Sequence, residues 1–338
     1  MKRANFLYKI LLLFVIFFTI TSCNNKKGAG IKIGLMWPYT TASRMKIETE
    51  QFKEKASQLG CEIFVTDAKN DEKLQREQAI DLINKGVDVL VIMAVNTYTA
   101  AEIVRLAHEK NIKVIAYDRL IKNCDVDFYI SHNNYNVGKY MAEYALKLKP
   151  EGKYLLLGGD KSDNNAVFVK NGQRDALKQA VEQGKVKIVF DIFVDEWSYE
   201  NAYHIMKYYL NLSSLDCPDV ILSSYDGLTY GAIKALEETE INPANIIITG
   251  QDAEPKAIKY IIAGKQTMTI FKPLRILADK AVEVAVQLAK GKIPTATSTL
   301  NNKRINVPSI LFDPIVVDKN NIKETVIKEG LIKETDIY

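Results

Sequence analysis

The chain is short of the residues on which most catalysis depends. Its 338 residues include four cysteines, three histidines and two tryptophans. No Cys-x-x-Cys occurs, and Cys61, Cys124 and Cys217 are too scattered to form a disulfide framework. Cys61 and Cys217 flank apolar runs and read as small core or edge residues. His108, His132 and His204 lie far apart, with no metal-ligand spacing, so neither a metal nor a cofactor is expected. There is no Gly-x-Ser-x-Gly elbow and no Gly-x-x-x-x-Gly-Lys-Ser/Thr loop. Gly28-Ala29-Gly30 precedes the first strand-like run instead of following it, so it is no dinucleotide fingerprint. Charge of one sign is also lacking. The formal net charge is +4, and Lys2, Arg3 and Lys9 supply three of those charges. The remainder is close to neutral and has no basic stripe interleaved with aromatics, which excludes a nucleic-acid footprint.

What is present begins with the leader. Three basic residues precede an unbroken apolar run, Ile10 to Phe18, which is too short to span a bilayer as a helix. Ile20-Thr21-Ser22-Cys23 and the polar stretch Asn24 to Gly30 follow. This is the pattern of a secretory signal peptide. Ile-Thr-Ser-Cys resembles the bacterial lipobox, whose cysteine becomes the lipidated first residue of the mature chain. The expectation is a signal peptide over 1–22, a tether over 23–30 and a working part outside the cytoplasmic membrane, anchored through Cys23.

From Ile31 the chain alternates short apolar runs with amphipathic stretches. Strands are expected at Ile31–Trp37, Cys61–Thr66, Val87–Val95 and Ile112–Tyr117, with helices between them. Val87–Val95 is almost wholly apolar, as a strand buried on both faces should be. The pattern restarts at Phe128–Ser131 and runs through Lys153–Leu157, Val186–Val194, Val220–Ser224, Ile246–Thr249 and Thr267–Phe271. Strand–helix alternation of this kind predicts an α/β fold: two doubly wound, Rossmann-like parallel sheets joined end to end. A long helix, Leu274–Lys290, and a crossing strand, Ile310–Val317, complete the chain.

Ligands of open parallel sheets bind at the carboxyl ends of the strands. The residues there are alike: Arg44, Asp118-Arg119, Gly158-Gly159-Asp160, Asp163-Asn164-Asn165, Asp195-Glu196-Trp197, Tyr225-Asp226, Gln251-Asp252 and Lys272. Carboxylates and amides pair with vicinal hydroxyls, and guanidinium offers a rigid fork of donors. An indole face packs on the C–H face of a pyranose. That inventory suits a sugar. Singly, each residue also has a plain structural reading: Asp195 or Asp226 as a helix cap, Asp118-Arg119 as an ion pair, Trp197 as core. Repetition at successive strand ends favours a binding site.

The same residues carry a family likeness. Gly86-Val87-Asp88-Val89-Leu90-Val91-Ile92, Ala116-Tyr117-Asp118-Arg119, Asp127-Phe128-Tyr129-Ile130-Ser131 and Asp163-Asn164-Asn165-Ala166 are its densest early stretches. Gly250-Gln251-Asp252-Ala253, Gln266-Thr267-Met268-Thr269 and Asn320-Asn321-Ile322-Lys323 continue it. Over Ile31 to about Lys333 the chain resembles the periplasmic D-xylose-binding proteins, a group within the type I sugar-binding proteins of ABC importers. The resemblance implies two lobes on a three-segment hinge: 31–131 plus 272–306, and 132–271 plus 307–338. It implies sugar contacts from Arg44, Asp118, Arg119, Asp163, Asn165, Trp197, Asp252 and Lys272. Tyr225 stands where the family has an asparagine contact, and Met45 where it has an aromatic.

The expected function is a lipid-anchored, non-enzymatic receptor. It would bind a monosaccharide, D-xylose by resemblance, and deliver it to an ABC permease. An alternative is a sugar sensor that presents the bound sugar to a membrane histidine kinase, as in chemoreception. A repressor core would need a helix-turn-helix where this chain has its leader, and a sugar-acting enzyme would need a nucleophile motif the chain lacks.

Overall fold

The computed structural model describes residues 30–41, 43–212 and 217–337. The leader, Cys23 and all of the tether but Gly30 lie outside the described residues. The first sheet is built on β1 (Lys32–Trp37), β2 (Glu62–Asp67), β3 (Val89–Ile92), β4 (Lys113–Tyr117) and β5 (Phe128–His132). Helices α1 (Ser43–Gln58), α2 (Glu72–Asn84) and α3 (Ala101–His108) connect β1 to β4. All four residues of β3 are buried, and they alternate between two cores. Val89 and Val91 join Phe52 of α1 on one face, while Leu90 and Ile92 join Leu82 of α2 and Ile103 of α3 on the other. Burying both faces is what turns the apolar run of the sequence into a central strand. Each such side chain contributes about 1.5–3 kcal/mol.

The second sheet repeats the scheme with α4 (Asn134–Leu148), β6 (Gly152–Gly158), α5 (Asn164–Glu182), β7 (Val186–Phe193), α6 (Tyr199–Leu212), β8 (Val220–Ser223), α7 (Asp226–Glu238) and β9 (Ile247–Ile248). Its strand order is β7-β6-β8-β9, all parallel. After α8 (Pro255–Ile262), β10 (Thr269–Phe271) extends it through a parallel bridge from Ile270 to Gln251.

The chain then returns. Helix α9 (Leu274–Ala289) buries Leu277, Ala278, Ala281, Val282 and Ala285 against the first sheet beside α1. Strands β11 (Ser298–Asn301) and β12 (Asn306–Phe312) close that sheet's edge, giving the order β11-β12-β5-β4-β3-β1-β2. A final short strand, β13 (Ile315–Val317), pairs with β10 in the other body.

Two expectations are corrected here. The single strand Ile310–Val317 is two strands, and β12 stays with β5 as far as Phe312, so the last crossing falls at Asp313-Pro314 and not near Val307. The reason is local: Val307 and Ile310 are buried in the first body, and Pro314 has no N–H to continue a ladder. The crossings are stitched together. Asn133 N–H donates to the Phe312 carbonyl at 2.8 Å, and His132 Nε2 lies 3.1 Å from the Pro273 carbonyl. The architecture is α/β, two lobes of mostly parallel sheet joined by three segments. Their strand ends face a common cleft.

Candidate functional site

The cleft encloses about 1570 Å³, and the eight residues that the resemblance implies as contacts line it together with Tyr225: Arg44, Asp118, Arg119, Asp163, Asn165, Trp197, Asp252 and Lys272. That exceeds the 300–1,000 Å³ of a usual small-molecule pocket, as expected of a gap between two bodies. Met45 also borders it while packing into the first core.

On the first lobe the site is a buried ionic network. Arg44, in the first turn of α1, points Nη1 at Asp118 Oδ2 (3.0 Å) and Nε at Glu48 Oε2 (2.8 Å). Glu48 is fully buried and accepts the Tyr117 hydroxyl. The i,i+4 spacing of Arg44 and Glu48 is a helical ion-pair signal that marks Glu48 as support for the site. It was legible in the sequence, but the strand-end reading passed over it. Burial alone would raise the Asp118 pKa, yet Arg44 and Lys272 hold this carboxyl well below the usual range. Asp118 has φ +62°, a left-handed conformation that aspartate tolerates better than most residues. Its carbonyl accepts from Tyr129 Oη (2.9 Å), Ser131 Oγ (3.0 Å) and Asn165 Nδ2 (3.3 Å), which offsets the strain. The last of these bonds crosses between lobes. Arg119 crosses too: its Nη1 donates to the Ala94 carbonyl (3.0 Å) and its Nε lies 3.5 Å from Asp163 Oδ2.

On the second lobe the site is shaped by turns. Asp163 caps α5, accepting Asn165 N–H at 2.9 Å. Glu196 and Trp197 sit at φ +60° and +53° in a tight turn, tied down where Glu196 N–H donates to Asp160 Oδ2 at 2.6 Å. The Trp197 ring lies over Gly159, where a Cβ would come within 2.1 Å of it. Gly159 is therefore required for the indole to lie there. Asp252 (φ +90°) accepts Lys272 Nζ at 2.8 Å. Behind it, fully buried Asp226 accepts from Glu254 N–H, Gln266 Nε2 and Thr269 Oγ1, each at 2.9 Å. Burial raises the Asp226 pKa well above the carboxylate range. Asp226 is thus a buttress of the Asp252 turn; the residue at the cap position of α7 is Tyr225. Asp118 and Arg119 do not pair with each other, since each has its partner elsewhere. Glu254 is a cleft residue that reading the strand ends missed, because its partner, Tyr225, lies 29 residues away in sequence.

Three cations are thus matched with three carboxylates: Arg44 with Asp118, Arg119 with Asp163, and Lys272 with Asp252. The inner cleft presents many donors and acceptors with little net charge, plus one indole. A cleft of this kind between two hinged α/β lobes defines a two-lobed binding protein for a neutral polar solute.

The particular family follows from comparison with known proteins. Residues 33–293 match the model of the periplasmic binding protein domain, and the chain belongs to that family of non-enzymatic sugar-binding proteins. It is 43% identical to the D-xylose-binding periplasmic protein of Escherichia coli (strain K12) over 307 residues, 91% of this chain and 92% of that protein. It is 33% identical to the multiple sugar-binding periplasmic receptor ChvE of Rhizobium radiobacter, over 89% of this chain and 90% of that one. Among solved structures, an ABC transporter solute-binding protein from Clostridium phytofermentans with bound β-D-glucose superposes with a TM-score of 0.82 at 29% identity. That match covers 91% of this chain and all of the other.

Proposed function

We propose that this protein is an extracytoplasmic receptor for D-xylose, anchored by lipid at Cys23, that delivers the sugar to an ABC importer. The supporting observation is the set of three matched ion pairs and the indole on facing walls of one cleft. A neutral polyol exchanges hydrogen bonds with such pairs without leaving an uncompensated charge. Arg44, Asp118, Arg119, Asp163, Asn165, Asp252 and Lys272 serve as its hydrogen-bonding partners, and Trp197 covers its C–H face. Because the contacts come from both lobes, the sugar stabilises the closed arrangement. The identity to D-xylose-binding relatives favours the pentose.

The test is thermal unfolding of the purified full-length chain against a panel of pentoses and hexoses. Sugar at a hundred times its dissociation constant adds about 2.7 kcal/mol of stability. A rise with D-xylose that disappears in Asp252→Ala and Trp197→Ala supports the reading, and no rise with any sugar overturns it. A second reading, presentation of the sugar to a sensor kinase, draws on the relative whose name calls it a receptor. Co-purification of a permease or of a kinase from solubilised membranes decides between the two.

A further inference from the structure

One corner of the inner cleft is walled by two aromatic rings. Tyr225 has an extended backbone (φ −161°) at the start of α7, and its ring is held from three sides. Beneath it lies Gly227, where a Cβ would come within 2.4 Å of ring Cε1. Beside it stands the Trp197 ring, edge-on at 89° with centroids 6.1 Å apart. At its tip the hydroxyl donates to Glu254 Oε1 at 2.6 Å. Burial and the adjacent Glu254 carboxylate push the phenol pKa up, so the proton stays in this bond. A tyrosine hydroxyl has only one proton to donate, and Glu254 has taken it. Trp197 and Tyr225 therefore form a rigid, right-angled aromatic corner of the cleft.

The perimeter of an aldopyranose carries an oxygen at nearly every carbon. The exception is C5 of a pentopyranose, a bare methylene, where a hexopyranose bears a hydroxymethyl group. A hydroxymethyl group pressed against the two ring faces gives up water and gains little in return. A methylene loses nothing there and packs against two rings. We infer that Tyr225, pinned by Glu254, is a specificity-determining residue of this site. The Trp197–Tyr225 corner seats the C5 methylene of a pentopyranose and excludes the hydroxymethyl of a hexopyranose. The inference rests on the sugar-receptor reading and adds how pentose is told from hexose, by the shape of a pinned aromatic corner. The pin matters, because a tyrosine free to rotate would swing aside for the larger sugar.

The test is calorimetric titration of the full-length protein and its variants with D-xylose and D-glucose. The wild type is expected to prefer xylose. Tyr225→Ala removes the wall and lowers the xylose-to-glucose affinity ratio by about tenfold or more, mainly through tighter glucose binding. Tyr225→Phe keeps the ring but loses the pin, and lowers the ratio by about threefold. A wild type that binds glucose as well as xylose overturns the inference while leaving the receptor intact. So does a Tyr225→Ala protein that unfolds cooperatively and keeps the wild-type ratio. If Tyr225→Ala does not fold, an unchanged ratio in both Tyr225→Phe and Glu254→Gln overturns it equally. A wild type that binds neither these nor any other sugar of the panel fails the receptor reading itself, and this inference with it.

Discussion

The two lobes build their halves of the site by different means. The first lobe uses charge. Arg44, Asp118, Glu48 and Tyr117 form a buried network at the ends of core strands, and their side chains position one another. The second lobe uses backbone shape. Glu196, Trp197, Asp252 and Ala253 all sit at positive φ, and glycines at 159 and 227 leave room for the aromatic rings above them. A buried ionic network is costly to break at any one member, because each removal strands the others. A turn tolerates a change of side chain but not of volume beneath it. The same cleft should therefore fail in two distinguishable ways.

Breaking the charged half carries the largest effect. Asp118→Ala leaves the Arg44 guanidinium short of a carboxylate and puts alanine at φ +62°. Loss of about 3–5 kcal/mol in thermal unfolding is expected, together with loss of measurable sugar binding. Asp118→Asn, which tolerates that backbone, should recover part of the stability but not the binding. Full recovery of both would show that charge is not what organises this lobe.

Breaking the shaped half acts on fit before stability. Gly159→Ala places a methyl group in the Trp197 ring, with up to about 3 kcal/mol of overpacking. The indole should be displaced and sugar affinity should fall. Tryptophan fluorescence reports this directly, because the other tryptophan, Trp37, is fully buried in the first core. Unchanged emission and affinity would contradict the placement of Trp197.

The smallest effect sharpens the comparison at the segment between the lobes. Buried His132 bonds across the crossings to the Pro273 carbonyl. Burial, helped by Lys272 and Arg44, lowers its pKa to about 3. An unfolded histidine titrates near 6.5, so between pH 6.5 and 3 the unfolded chain binds the extra proton. Stability from this residue is then present above pH 6.5 and lost as pH falls. About 2 kcal/mol should be gone by pH 5. His132→Gln should flatten the midpoint-versus-pH curve between pH 7 and 5, whereas an unaltered slope would place the titration elsewhere.

Much of this was legible in the chain. The alternation of Val89–Ile92 between two cores, the helix after each strand and the chemistry at each strand end are local patterns, set by side-chain period and turn chemistry. Strand ends could be named as the site because parallel strands bring their carboxyl ends together, while the choice of Arg44, Asp118, Arg119, Asp163, Asn165, Trp197, Asp252 and Lys272 among them came from the family resemblance. The pairing of partners was less accessible. Glu254 lies 29 residues from Tyr225, and Asp163 caps its own helix while facing Arg119 across the cleft. Nor did the apolar run Ile310–Val317 show that it breaks at Asp313-Pro314 and serves two sheets.

Sequence alone determined the class of fold and the polar character of the strand ends, because each depends on neighbours within a turn or a strand. Tertiary structure alone decided that α9 packs beside α1, that Glu48 and Asp226 are fully buried behind the residues lining the cleft, and that Tyr225 is locked by Glu254. Those outcomes depend on which surfaces meet after the chain has crossed between lobes three times. A periodic pattern says that a face will be buried, but not against what.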